Sequence, residues 1–275
     1  MTSNFGSMRE SHPVNLSWLP SRGKPYPENM EILVSPVTIK ERRLLEGTST
    51  SQYYRNLLEG ITIVGAPFRK LDLIYADVQF LDLVRRIYSF EQDKQIFVSN
   101  YTCPHCGAED IRPKFNCIDI EFEDLKEEVF GKEKILKDPE TDEDIPQFVP
   151  GKEYKFEDGT VVVASPLTVG EYIDLATKYL SNIPENKVAE KMADLYIGEY
   201  TYLIKQLPGR EFKDDNARRE FLWDYLSLLF LDEDQEVLDQ IEADCTSIMK
   251  PIEYKCPECG ETVEVYVTPS MKFHK

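Results

Sequence analysis

Histidine is scarce in this chain: 275 residues hold three, His12, His105 and His274. A nucleophilic triad needs a general base, and none of the three has a sequence setting that supplies one. There is no G-x-x-x-x-G-K-[ST] phosphate loop and no H-E-x-x-H, and Gly60 to Gly65 is too loose for a dinucleotide loop. Basic charge is also short: 32 Lys and Arg stand against 50 Asp and Glu, a formal net of −18. So acidic a chain has no general attraction for phosphate backbones or anionic membranes, which argues against broad nucleic-acid or membrane binding. No uncharged apolar run approaches the roughly 20 residues of a membrane-spanning helix. Residues 1–18 lack the apolar core of a signal peptide. The expectation is an intracellular protein, not an enzyme, with no small-molecule substrate.

Six cysteines are too few for a secreted disulfide scaffold of this length. Four of them form two matching units, Cys103-Pro104-His105-Cys106-Gly107 and Cys256-Pro257-Glu258-Cys259-Gly260. Each unit places two sulfurs on one tight turn, fit to share an ion at a Zn–S length of about 2.3 Å. The glycine after the second cysteine suits a positive φ that aims backbone N–H groups at the sulfurs. Two such knuckles close a tetrahedral site of four thiolates, Cys103, Cys106, Cys256 and Cys259. No position is left for water, so the implied zinc is structural. A compact ribbon separates its halves by about 15–20 residues, but here residues 107–255 intervene. Two arrangements follow: one ribbon carrying a long insertion, or knuckles that complete sites with other chains. Cys117 and Cys245 stand beside apolar residues and are expected as buried free thiols. His105 is expected to face solvent.

The pattern along the chain predicts an α+β protein: an N-terminal α+β part, then a four-cysteine zinc ribbon split by a mostly helical insertion. The boundaries fall at 1–17 for a flexible arm, 18–94 for the N-terminal α+β region and 95–122 for the first half of the ribbon. An acidic loop, a hairpin and helices fill 123–250, and 251–275 is the second half. Residues 31–37 are strand-like. Thr38 and Glu41 form a capping box opening a short helix that stops near Gly47. A second helix covers 51–59. Leu73, Ala76, Phe80, Leu83, Val84 and Ile87 recur at helical spacing. Residues 95–101 read as a strand, and 118–122 alternate apolar and acidic residues as a half-exposed strand does.

Residues 119–144 hold 12 acids and 4 lysines, either a solvated loop or a docking surface for a basic partner. Residues 154–163 read as a hairpin turning at Asp158-Gly159. Thr168 and Glu171 form a second capping box. Helices are expected at 185–207, at 214–230 with Phe221, Leu222, Tyr225, Leu228 and Leu229 inward, and at 232–244. A last strand spans 261–268.

The segment Leu19 to Pro27 holds three prolines and a glycine, which excludes a helix. Residues 1–30 are expected to order on a partner through Trp18, Leu19, Pro20, Tyr26 and Pro27. The alternative is that this segment packs on its own domain.

Three short patterns occur together: Leu-Pro-Ser-x-Gly-x-x-Tyr at 19–26, Val-x-Pro-Val-Thr-x-x-Glu at 34–41, and Leu-x-x-x-Asp-x-x-Phe-Leu-x-x-x-Arg at 73–85, running into Cys-Pro-x-Cys-Gly. In these the chain resembles the baseplate-hub proteins of contractile-tailed, T-even-like bacteriophages. The likeness covers roughly 17–107, and more loosely 166–180. It implies a structural or assembly role in the tail baseplate, with other phage baseplate and tail-hub proteins as partners. The expected location is the host cytoplasm during assembly, and the resemblance leaves open whether the protein then stays in the virion or acts as an assembly factor. The alternative from the cysteine pattern is a cellular zinc-ribbon adaptor, such as a transcription-associated module.

Overall fold

The computed structural model describes residues 11–45, 48–89, 94–98, 101–109, 111–137, 144–149, 151–180, 188–229, 232–246 and 249–267. Gly47, residues 1–10, the start of the helix expected at 185, His274 and the end of the last strand lie outside them. The chain divides into two compact units: residues 1–70, 77–123 and 248–275 form one, and 71–76 with 124–247 the other.

In chain order, the first stretch carries β1 (His12–Val14), β2 (Glu31–Val34), α1 (Ile39–Leu45), α2 (Thr50–Leu58), β3 (Ile61–Val64), α3 (Tyr75–Ile87), β4 (Gln95–Phe97) and β5 (Lys114–Asn116). Then come β6 (Lys132–Lys137), β7 (Asp144–Val149), β8 (Lys152–Lys155), β9 (Val161–Ala164), α4 (Val169–Tyr179), α5 (Val188–Leu203), β10 (Ile204–Gln206), α6 (Asp215–Leu226) and α7 (Asp232–Cys245). The hairpin of β11 (Ile252–Lys255) and β12 (Thr262–Val265) follows. The protein is thus mixed helix and small antiparallel sheets.

In the first unit, β1, β2 and β3 form an antiparallel sheet in that order. The chain expected as a flexible arm contributes β1, with Val14 opposite Ile32. The capping box at the start of α1 is present: Glu41 N–H donates to Thr38 Oγ1, and Thr38 N–H donates to a Glu41 carboxylate oxygen at 2.8 Å. The alternating segment 118–122 is not a strand. Cys117–Asp119 is a 3-10 turn that leaves Ile118 74% exposed, and only an isolated bridge from Phe122 to Met249 remains. Alternation is a strand signal only where a neighbouring strand is there to pair.

Polar groups, not only apolar ones, hold this unit together. Asp77, fully buried, accepts from the Ser21 N–H and Oγ and from the Tyr26 hydroxyl. Arg85, also fully buried, donates Nε to Ser35 O at 2.7 Å, Nη1 to Leu57 O at 3.0 Å and Nη2 to Glu41 at 3.3 Å. Arg86 Nε and the Tyr53 hydroxyl both donate to Asp82 Oδ2. Burial pushes the Asp77 carboxyl up from 3.8 to about 6, against its three donors.

That shift sets a pH dependence. The folded state holds the Asp77 proton more tightly than the unfolded chain, so its term is most favourable at low pH and is lost as pH rises through about 6. Relative to Asp77→Asn, the wild type should gain about 1 kcal/mol on going from pH 7 to pH 5. Urea unfolding at the two pH values checks it, and a parallel pH response in both proteins would refute the assignment.

In the second unit, β10, β9 and β8 form an antiparallel sheet. Gly159 has φ +86°, as the tight turn before β9 needs, and Thr160 N–H donates to Asp158 Oδ1 at 2.7 Å. The second capping box holds α4: Glu171 N–H donates to Thr168 Oγ1, and Thr168 N–H to Glu171. Three expectations are corrected. The helix expected to run to 207 ends at Leu203, because Ile204 and Gln206 pair with β9. Leu228, expected inward, lies beyond the end of α6 and is 66% exposed. The acidic stretch expected as a loop contains β6, which pairs with β7. Within α7, Asp244 is fully buried and accepts from Lys126, Lys152, Tyr154 and Gln240.

Candidate metal centre

The two knuckles have the same backbone. In the first, Gly107 N–H donates to Cys103 O and Cys103 N–H to Ala108 O, both at 2.9 Å. In the second, Gly260 N–H donates to Cys256 O and Cys256 N–H to Glu261 O, again at 2.9 Å. Gly107 has φ +71° and Gly260 +77°, a left-handed turn that side chains disfavour. Among the described residues, chain neighbours aside, nothing lies within 4 Å of where a Gly107 Cβ would sit, so the glycine is there for conformation and not for space.

Each knuckle is fixed by short antiparallel pairing. Tyr101 bridges Ile111 around the first, with β4 and β5 beside it, and β11 and β12 flank the second. Cys103 and Cys256 are themselves buried, in a cluster with Leu83, Ile96, Phe115 and Val265. Cys106 and Cys259 are exposed.

The structure brings the four sulfurs together. Cys103 Sγ lies 3.9 Å from Cys259 Sγ, Cys106 Sγ lies 3.9 Å from Cys256 Sγ, and all four fall within 4.8 Å of one another. A tetrahedral site with bonds of about 2.3 Å spaces its sulfurs by about 3.8 Å. The Cys106 N–H pulls the Cys103 thiol down to about 6. On Cys259 the Glu261 N–H also lowers the pKa, but burial and the neighbouring sulfurs outweigh it and push the thiol up to about 12. Four thiols this close cannot all ionise without a cation among them, and a cation is what the donor set fits. The donors are soft, equal in kind and without a water position, which matches a structural thiophilic ion such as zinc.

Of the other predicted residues, His105 is exposed. Cys117 and Cys245 are buried thiols, pushed up by burial to about 11 and about 12. The partner-binding set needs correction. Leu19 is fully buried, Tyr26 is 7% exposed and Pro20 is buried, so these three belong to the chain's own core. Trp18, 62% exposed, and Pro27 stay at the surface. The segment packs because Asp77 supplies an acceptor for its Ser21 and Tyr26, which composition alone does not reveal. The sequence reading also missed the buried charged groups Asp77, Asp82, Arg85 and Arg86. The available signal was two adjacent arginines in the apolar-periodic helix α3, where a charge on the inner face demands a partner.

The fold and site define a mixed α+β protein in which, among the described residues, four cysteines cluster as a possible metal site. Comparison with protein-family models, with curated proteins and with solved structures returns no match.

Proposed function

We propose that the protein is a structural or assembly component of a phage tail baseplate hub, acting by protein–protein binding around a structural zinc. The observation that carries the reading is how the three quoted patterns meet. Ser21 and Tyr26 of the first donate to Asp77 of the third, and Arg85 of the third donates to Glu41 of the second. The residues of the three patterns thus act together inside the fold, and the baseplate role is what their likeness to the hub proteins implies. The metal is zinc in this reading, and 95–122 and 251–275 are the halves of one ribbon split by the insertion. A closed thiolate site suits a protein that assembles and does not turn over substrate.

The test is affinity capture from infected cells with mass spectrometry, at low and high salt. Tail-hub proteins should be recovered, and less so at high salt, as expected for an acidic protein meeting basic or mixed surfaces. Recovery of RNA polymerase or ribosomal components instead would replace this reading with the zinc-ribbon adaptor.

A further inference from the structure

The first unit carries an apolar groove that the metal centre does not use. Its floor is one face of α3: Phe80, Leu83, Val84 and Ile87, spaced i, i+3, i+4 and i+7. Its opposite wall is the turn through Cys117, Ile118 and Ile120. Trp18 and Ile118 stand at the lips, 62% and 74% exposed, and Tyr88 adds a third aromatic-apolar edge at 45%. Among the described residues, every one lining the groove is apolar, aromatic or a thiol. The cavity is about 280 Å³. That suits an anchoring side chain better than a whole small molecule, whose pockets run to roughly 300–1,000 Å³. Large apolar residues cost free energy in water, and a cluster of them around a concavity marks a docking surface.

The wall itself carries an acid: Asp119, which accepts from Asn116 Nδ2, lies between its two isoleucines, and Glu121 and Glu123 follow along the same stretch, all three exposed. Lys250 offsets Glu121 at 2.9 Å. The groove thus combines an apolar centre with an acidic edge.

We propose that this groove docks a segment of a partner protein that carries a large apolar anchor flanked by lysine or arginine. The proposal rests on the assembly reading and names the surface through which it works. The anchor would pack on Phe80, Val84 and Ile87 beneath Trp18, an aromatic of the kind that dominates binding energy at interfaces. The basic flanks would meet Asp119 and its neighbours, which sets orientation and speeds encounter.

The experiment is a selection of random peptides on the immobilised, zinc-loaded full chain. Synthetic versions of the enriched peptides are then titrated by fluorescence. In a Trp223→Phe background Trp18 is the sole tryptophan, so its emission reads the groove directly. The enriched peptides should share an aromatic or aliphatic residue among lysines or arginines. Their Kd should rise about tenfold or more in Ile118→Glu, and several-fold at high salt. Ile118 is a surface side chain, so this variant should keep its zinc content and circular dichroism; Trp18→Ser, titrated by calorimetry because it removes the fluorescent reporter, gives a second, independent loss.

Several outcomes overturn the proposal. They are no enrichment over an uncoated surface, enriched peptides without basic residues, or binding that Ile118→Glu leaves unchanged. Concentration-dependent dimerisation abolished by Ile118→Glu would assign the groove to a second copy of the chain. Binding seen only after deletion of residues 1–10 would assign it to the chain's own N-terminal segment. If Ile118→Glu captures tail-hub proteins as well as the wild type does, the groove falls while the assembly reading stands.

Discussion

Protein purified without chelator should carry close to one zinc per chain, and Cys256→Ser should lose it. The four sulfurs come from two turns 150 residues apart, with Cys106 and Cys256 at 3.9 Å. A bound ion would therefore close a long loop, and without it the chain must supply that closure entropy from packing alone. Cys103 and Cys256 also sit inside an apolar cluster, so losing the ion leaves buried thiols that repel or re-protonate. Structural zinc is worth about 10–16 kcal/mol in small finger peptides, and part of that is felt in a larger fold. A loss of roughly 3 kcal/mol or more should lower Tm by on the order of 10 °C. Elemental analysis and calorimetry of wild type, Cys256→Ser and chelated protein make the test. A metal-free wild type that melts with the loaded protein would refute the site.

The second large effect concerns Arg85. Its guanidinium is fully buried and binds Ser35 O, Leu57 O and Glu41. Arg85→Met keeps much of the volume but takes a donor from Ser35 O and Leu57 O, the latter keeping the Gly60 N–H, and removes the guanidinium from the buried Glu41. Removing one partner of a buried ion pair costs about 3–5 kcal/mol. Glu41 also caps α1 through Thr38, so the change should loosen that helix. Gly60 sharpens the argument: a Cβ there would lie 1.9 Å from Arg85 Nη2 and 2.0 Å from its Cζ. Gly60→Ala must push the guanidinium out of its site. It should therefore destabilise strongly in wild type and cost little more in Arg85→Met, because the two variants damage the same thing. Denaturant unfolding of the four proteins of this cycle measures it, and additive losses would show that Gly60 and Arg85 act independently.

The buried polar cluster gives the quoted sequence patterns a physical meaning. Inside the first unit Ser21 and Tyr26 are bound to Asp77, and Glu41 to Arg85. They specify how the N-terminal segment and the first helices lie on α3. The residues open to a partner are others, Trp18 and Ile118 among them.

What the sequence determined by itself was local. Both capping boxes, the turn at Asp158-Gly159, the apolar spacing of α3 and the two cysteine knuckles are each written within a few residues, and each forms where the spacing places it. A cap, a turn or a pair of ligands needs only its near neighbours, so the pattern suffices. What the tertiary structure decided depended on partners far along the chain. Leu19 and Tyr26 are core and not docking residues because Asp77, 51 residues after Tyr26, offers an acceptor. Ile204 leaves its helix because β9 offers an edge to pair with. Ile118 lies exposed in a turn because no strand comes to meet it. Burial, pairing and exposure are properties of the partner as much as of the residue, and the partner is known only once the chain has folded.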